Sequence, residues 1–404
     1  MQNIPLICKG LDDNDLYKFS TQAAILAHKQ GVPTVFEFKD RRPSYKYTPN
    51  FKCLLDQQIE MLGDVRASDQ MVRFMGERCP WLGNDYLAYV KDFRYNPDQV
   101  ETNVSDGKLH IRIAGVHEEA TMWEIPLMYT VSELYFRTID TNWTEAGQDA
   151  LMRCKAEALS NAGAFVSDFS TRRRRHFMAQ DRAVRILKEH CKTLVGTSNV
   201  LLARQYGIKP IGTFPHEWVQ RISAMESLRH ANRYALKIWQ KIYGGRLGIA
   251  LPDTFGTNSF LIDFDSTLAR LFDGVRHDSG DPIEFALKII AHYQKLDIDP
   301  TTKTIVFSDS LNVDAVLKIM AALKGLIRMA FGIGTNFSND YAGSPALNMV
   351  IKMIMCDLIN VVKLSDSPSK AIGDYDALRV AAWTHMGIPL DSGMYDHLNI
   401  ALAS

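Results

Sequence analysis

Between Phe165 and Asn336 an apolar stretch that ends in small polar residues recurs seven times: FVSDFST, TLVGTSN, KPIGTFPH, LGIALPDTF, FDGVRHDSGD, KTIVFSDS and MAFGIGTN. Segments of helical spacing, such as PIEFALKIIAHYQKL and LNVDAVLKIMAALKG, fall between them. Strands that alternate with helices build a parallel sheet, because a crossover is needed to return the chain to the same end. Seven such units predict an irregular α/β barrel whose polar strand ends converge on one face, and that face carries the chemistry. An open doubly wound sheet is the alternative, but no GxGxxG turn follows the first strand.

The flanking sequence has a different rhythm. DDNDLYKFSTQAAILAHKQGVP predicts a helix capped by Asp13 or Asn14, closed at Gly31 and stopped by Pro33. TVFEFKD, GKLHIRIAG and EEATMWEIP are expected as strands, and EIPLMYTVSELYFRTI turns helical in its spacing. After Leu347, NMVIKMIMC and INVVKLSD form a hairpin-like pair. The expected organisation is therefore an N-terminal α/β domain over 1–150, the barrel over 151–346, and a C-terminal segment over 347–404. That last segment packs back on and completes the first domain.

Composition narrows the function. With 46 basic and 46 acidic residues the formal net charge is zero, so the chain lacks the basic excess that nucleic-acid backbones or anionic membranes require. Six scattered cysteines without a CxxC pair argue for a reducing compartment rather than a disulfide framework. No apolar run is long enough for a signal peptide or a membrane span, which predicts a cytoplasmic protein.

The seven strand ends together offer Asp168, Phe169, Arg172, Thr197, Ser198, Thr213, His216, Asp253, Arg276, Asp278, Ser279, Asp309, Gly332, Gly334 and Thr335. Glycine-rich turns and helix N-termini suit phosphate oxygens, and carboxylates suit ribose hydroxyls or magnesium. Each residue also has a plainer reading. His216 in GTFPHEWVQ is a zinc ligand, a packed core histidine or a phosphoryl acceptor; the zinc protease pattern HExxH fails at Gln220. Arg172 to Arg175 are a solvated charge run unless the preceding strand turns one inward. HDSGD is most simply a turn with Asp281 and Pro282 starting a helix.

The landmarks DNDLYKFSTQ, FRYNP, DFSTRRR, GTSNVLLAR, GTFPHEW, GVRHDSGDP, FSDS, FGIGTN and VKLSDSPSK resemble those of the nicotinate phosphoribosyltransferase family over nearly the whole chain. The resemblance implies an irregular α/β barrel beside an N-terminal α/β domain. It also implies a reaction: nicotinate and phosphoribosyl pyrophosphate give nicotinate mononucleotide and pyrophosphate, coupled to ATP hydrolysis with Mg2+. By this similarity His216 is the histidine phosphorylated from ATP, and Tyr17 and Phe169 sandwich the pyridine ring. Arg276 and Thr213 hold the nicotinate end, with Arg172 nearby. Asp278, Ser279 and Gly280 surround ribose and pyrophosphate, while Asp309, Gly334 and Thr335 surround the ribose and its 5′-phosphate. Ser198 stands where the related nicotinamide enzymes carry an aspartate, which implies a carboxylate substrate. Ser170 departs from the glycine usual in the family. If Tyr17 reaches a neighbouring subunit, a homodimer follows; if it folds back in cis, a monomer suffices.

Overall fold

The computed structural model describes residues 4–42 and 46–394, so the last ten residues of the expected C-terminal segment lie outside the described residues. Two sheets organise the rest. The first begins with β1 (Pro33–Asp40), β2 (Val100–Ser105) and β3 (Lys108–Val116). β2 and β3 form a hairpin around Asp106 and Gly107, both with positive φ, as a tight turn between twisted strands requires. The second sheet is parallel: β4 (Val166–Asp168), β5 (Leu194–Thr197), β6 (Ile249–Ala250), β7 (Gly274–His277), β8 (Thr304–Phe307) and β9 (Arg328–Ile333), in the order β5-β4-β9-β8-β7-β6. A short pair, β10 (Asp340–Tyr341) and β11 (Ser344–Pro345), leads out of it. The chain then returns to the first sheet through β12 (Met349–Cys356) and β13 (Ile359–Asn360), giving the order β13-β12-β1-β3-β2.

Six of the seven repeating units therefore supply a strand. The third, KPIGTFPH, does not. It runs beside β5 with a single parallel bridge, Thr197 to Pro210, and β6 is only two residues long, so the barrel is irregular where these segments stand. Gly196 permits the approach, since a Cβ there would lie 2.0 Å from the Lys209 carbonyl oxygen. One apolar cluster fills the barrel and its helices, with Trp218, Trp239 and Phe214 at its centre. A second lies under the antiparallel sheet and takes Met349, Ile351 and Met353 from β12.

Two local expectations fail because tertiary packing overrides the local pattern. EEATMWEIP is not a strand: His117–Ala120 and Glu124–Thr138 are α-helical and Thr121–Trp123 is a 3-10 turn. Met122, Trp123 and Ile125 are all fully buried, leaving no solvent face for a half-exposed strand. The first helix spans Leu16–His28, with Asp15 at its N-cap position and Lys29 at its C-cap rather than Gly31. Neither Asp13 nor Asn14 caps it. Asp13 is gripped by the Arg174 guanidinium through two bonds of 2.7 Å, and Asn14 contacts Tyr95. The arginine run turns inward at its second half: Arg172 and Arg173 are partly exposed, while Arg174 and Arg175 are fully buried, the latter packed over Phe136 and bonded to Ser344. Asp281 and Pro282 do start a helix, Asp281 accepting from the Ile283 and Glu284 amides at 2.9 Å.

Candidate active site

The end of β4 builds the first wall. Asp168 is buried and accepts from the Ser170 amide (3.1 Å) and hydroxyl (2.5 Å), from Gln180 (2.8 Å) and from Thr197 (2.7 Å). Ser170 therefore closes the turn with its own side chain at φ −92°, a conformation that requires no glycine. The Phe169 amide donates to the Ile333 carbonyl at 2.8 Å, laying its ring over Gly332. Any Cβ at Gly332 would come within 2.2 Å of that ring. Opposite stands Tyr17, whose hydroxyl donates to Glu124 at 2.8 Å. Both aromatics line one cleft, together with Phe36, Arg172, Ser198, Thr213, His216, Arg276, Asp278 and Lys352.

At the floor His216 opens the helix His216–Met225. Its Nε2 lies 2.7 Å from Asp253 Oδ1 and 3.7 Å from Asp278 Oδ2. Asp253 also takes Lys363 (2.9 Å) and the Ser279 hydroxyl (2.7 Å) on its other oxygen. Burial, reinforced by Lys363, pushes the His216 imidazolium down to about 4 against the pull of Asp253. Burial would raise Asp278, but Arg276 and Lys363 hold it below the usual carboxylate range. A carboxylate that stays ionised only accepts, so Nε2 carries the proton and Nδ1 keeps its lone pair. Each nitrogen of Arg276 donates once here, Nε to Ser308 (2.8 Å), Nη1 to Thr213 (3.0 Å) and Nη2 to Asp278 (2.6 Å), out of the five N–H groups a guanidinium carries.

The structure thus brings Tyr17, Phe169, Arg172, Ser198, Thr213, His216, Arg276 and Asp278 into one cleft. Ser279 and Gly280 line an adjoining depression beside Thr257 and Asp366. Asp309 follows β8 and is paired to Lys370 at 2.7 Å, whereas Gly334 and Thr335 follow β9. Sequence reasoning assigned no role to Glu124, Lys18, Asp15, Lys352 or Lys363. Asp15 accepts from Ser198 at 2.6 Å and is raised by burial, so the serine faces a carboxyl group already in the cleft wall. Lys18 and Lys363 lay inside quoted landmarks, but Glu124 and Lys352 carried no local signal because β12 and the helix Glu124–Thr138 meet only in the folded chain.

Comparison with known proteins decides the class. The family model "Nicotinate phosphoribosyltransferase (NAPRTase) family" matches residues 165–385, and its N-terminal domain model matches 13–132. The chain belongs to the nicotinate phosphoribosyltransferase family. It is an enzyme of that family. A nicotinate phosphoribosyltransferase of Methanosarcina mazei is 43% identical over 397 residues, covering 92% of this chain and 97% of that protein. One from Chromohalobacter salexigens is 41% identical over 379 residues, covering 92% and 97%. Among solved structures, that of the nicotinate phosphoribosyltransferase from Porphyromonas gingivalis superposes with a TM-score of 0.91 at 34% identity, covering 94% of this chain and all of that one. The Vibrio cholerae structure gives 0.91 at 32%, covering 98% of each.

Within this nicotinate phosphoribosyltransferase-family chain, Tyr17 and Phe169 face the same cleft from a single polypeptide. Tyr17→Ala is expected to weaken nicotinate binding roughly tenfold, because each stacked ring adds about 0.5–1.5 kcal/mol beyond burial. Tyr17→Phe keeps the ring and should stay within about threefold. Titration calorimetry measures both, and unchanged affinity in Tyr17→Ala places the pyridine elsewhere.

Proposed function

We propose that this chain joins nicotinate to phosphoribosyl pyrophosphate, releasing pyrophosphate, and that ATP drives the reaction through a phosphohistidine at His216. In this reading it is a cytoplasmic enzyme of NAD salvage. The observation that carries the proposal is the placement of the His216 imidazole, 2.7 Å from Asp253 through Nε2, in a cleft lined by Tyr17, Phe169 and Arg276. No helix among the described residues is long and apolar enough to cross a membrane.

The chemistry follows from these positions. His216 Nδ1 attacks the terminal phosphorus of ATP, the N–P bond forms as the bond to the ADP oxygen breaks, and ADP leaves. Nε2 keeps its proton, which it donates to Asp253, and that carboxylate balances the positive charge the ring gains as the N–P bond forms, so no other base is needed. The amide groups at the start of the helix His216–Met225 favour the new negative charge. In the transfer step pyrophosphate departs from the ribose C1 and the pyridine nitrogen attacks the positive carbon. The residues contribute by orientation and charge rather than by covalent work. Arg276 and Thr213 take the nicotinate carboxylate, Tyr17 and Phe169 hold the ring, and Asp278 with Ser279 and Gly280 face ribose and pyrophosphate. Asp309, Gly334 and Thr335 serve the 5′-phosphate end.

Magnesium fits the donors present. Asp278 offers a carboxylate oxygen close to His216, its Oδ2 lying 3.7 Å from His216 Nε2 and 3.8 Å from Lys363 Nζ, whereas both oxygens of Asp253 already accept from His216, Lys363 and Ser279. Bound there with a phosphate substrate, the ion would neutralise phosphate charge.

Formation of nicotinate mononucleotide from labelled nicotinate tests the activity; a barrel that merely binds nucleotides gives none. The histidine chemistry has its own signature in pH. Because the imidazolium sits at about 4, phosphorylation should hold level from neutral pH to about 5 and fall only as pH drops through 4. A fall centred near 6.5, the ordinary histidine value, contradicts this placement of His216. Pulse labelling with γ-labelled ATP, with folding followed by circular dichroism, measures the profile.

A further inference from the structure

One buried ammonium joins the two halves of the cleft. Lys18 has no exposed side-chain surface, yet it lies 2.6 Å from Glu124 Oε2 and 2.9 Å from Glu217 Oε1. Its chain neighbour Tyr17 donates to the same Glu124 oxygen, and Glu217 directly follows His216. Tyr17, Glu124, Lys18 and Glu217 thus form a continuous polar path from the aromatic slot to the helix that presents His216. Thr121 adds a 2.9 Å bond to Glu217 Oε1. On the far side, Glu217 Oε2 and His117 Nε2 face each other at 4.0 Å, and neither buried atom has a hydrogen-bond partner. Two unsatisfied buried groups so placed are costly apart, and a small shift of Glu217 brings them into bonding range. The two oxygens of Glu217 thus face different partners, Oε1 bonded to Lys18 and Oε2 just outside bonding range of His117.

We propose that Lys18, Glu124 and Glu217 are positioning residues that couple occupancy of the aromatic slot at Tyr17 to the state of His216, with Glu217 as the element that moves. The proposal rests on the phosphohistidine reading above. An isolated buried ion pair is weak evidence for anything but packing, since apolar residues often replace one without loss. Here each end of the pair lies next to a site residue on a different helix, and one end has an unused partner.

The test is a double-mutant cycle on Tyr17→Phe and Glu217→Gln, reading ATP hydrolysed per nicotinate mononucleotide formed. Each single variant should raise that ratio about fivefold, the lower end of site-to-site coupling, and the double variant should rise no further than the larger single effect. A packing role changes melting temperature and total rate but leaves the ratio alone. An unchanged ratio, or two effects that multiply, overturns the relay. Wild-type enzyme that forms no acid-labile label from γ-labelled ATP overturns the His216 reading and the relay with it, whereas normal labelling with an unchanged ratio overturns the relay alone. If Glu217→Gln does not fold, Glu217→Asp keeps the charge but withdraws it by one methylene, and the same criteria apply.

Discussion

His216→Ala should take up no acid-labile label from γ-labelled ATP and hydrolyse no ATP above background, while retaining some direct transfer from phosphoribosyl pyrophosphate. The expected fall in ATPase is at least about a thousandfold, as removal of a covalent nucleophile produces. The surroundings make this a chemical rather than a structural loss. Without the imidazole, Asp253 still has Lys363 at 2.9 Å and Ser279 at 2.7 Å, so no buried charge is left unpaired. The variant should therefore melt close to wild type. A core-packing role predicts the reverse: a lowered melting temperature, with ATPase and transfer falling together. Label that persists undiminished in His216→Ala refutes the assignment.

Arg276→Ala should raise KM for nicotinate by about a hundredfold or more, given that truncating one partner of a buried charge pair costs about 3–5 kcal/mol. The guanidinium has two duties. It faces the cleft where a carboxylate would sit, and it holds Asp278 at 2.6 Å and Thr213 at 3.0 Å. With it gone, Asp278 loses its nearest cation and is left with the Ser308 hydroxyl at 3.2 Å, His216 at 3.7 Å and Lys363 at 3.8 Å, so turnover should fall as well. A neutral pyridine analogue separates the two duties, since it should show the fall in turnover but not the rise in KM. Equal loss for both substrates removes Arg276 from carboxylate recognition. Arg276→Lys should recover only part of the affinity, since an ammonium cannot reach Ser308, Thr213 and Asp278 as one planar fork.

Much of the catalytic face was legible because barrel topology converts a linear pattern into a spatial one. Once FVSDFST, GVRHDSGD and FGIGTN are strands of one parallel sheet, their polar ends must lie on one face, whatever the packing details. The irregular third unit was less legible, since KPIGTFPH has the pattern of a strand but makes only one bridge. The N-terminal caps misled for a physical reason. Asp13 and Asn14 satisfy local capping rules, yet Arg174, 161 residues away in sequence, offers Asp13 a buried bidentate partner. A charge-assisted fork outweighs one neutral cap.

By itself, then, the sequence determined the class of fold and which polar segments stand at the strand ends. Those properties follow from period, turn chemistry and residue type, all of which are local. Only the tertiary structure decided that Tyr17 shares a cleft with Phe169 in one chain, that the arginine run splits between cleft and core, and that β12 carries Lys352 to Glu124. It also decided the protonation of His216, because burial and the charges of Lys363 and Asp253 come from three separate segments of the chain. Pairings between distant residues leave no periodic trace in sequence, and in a low-dielectric interior they set the charge state of every group they touch.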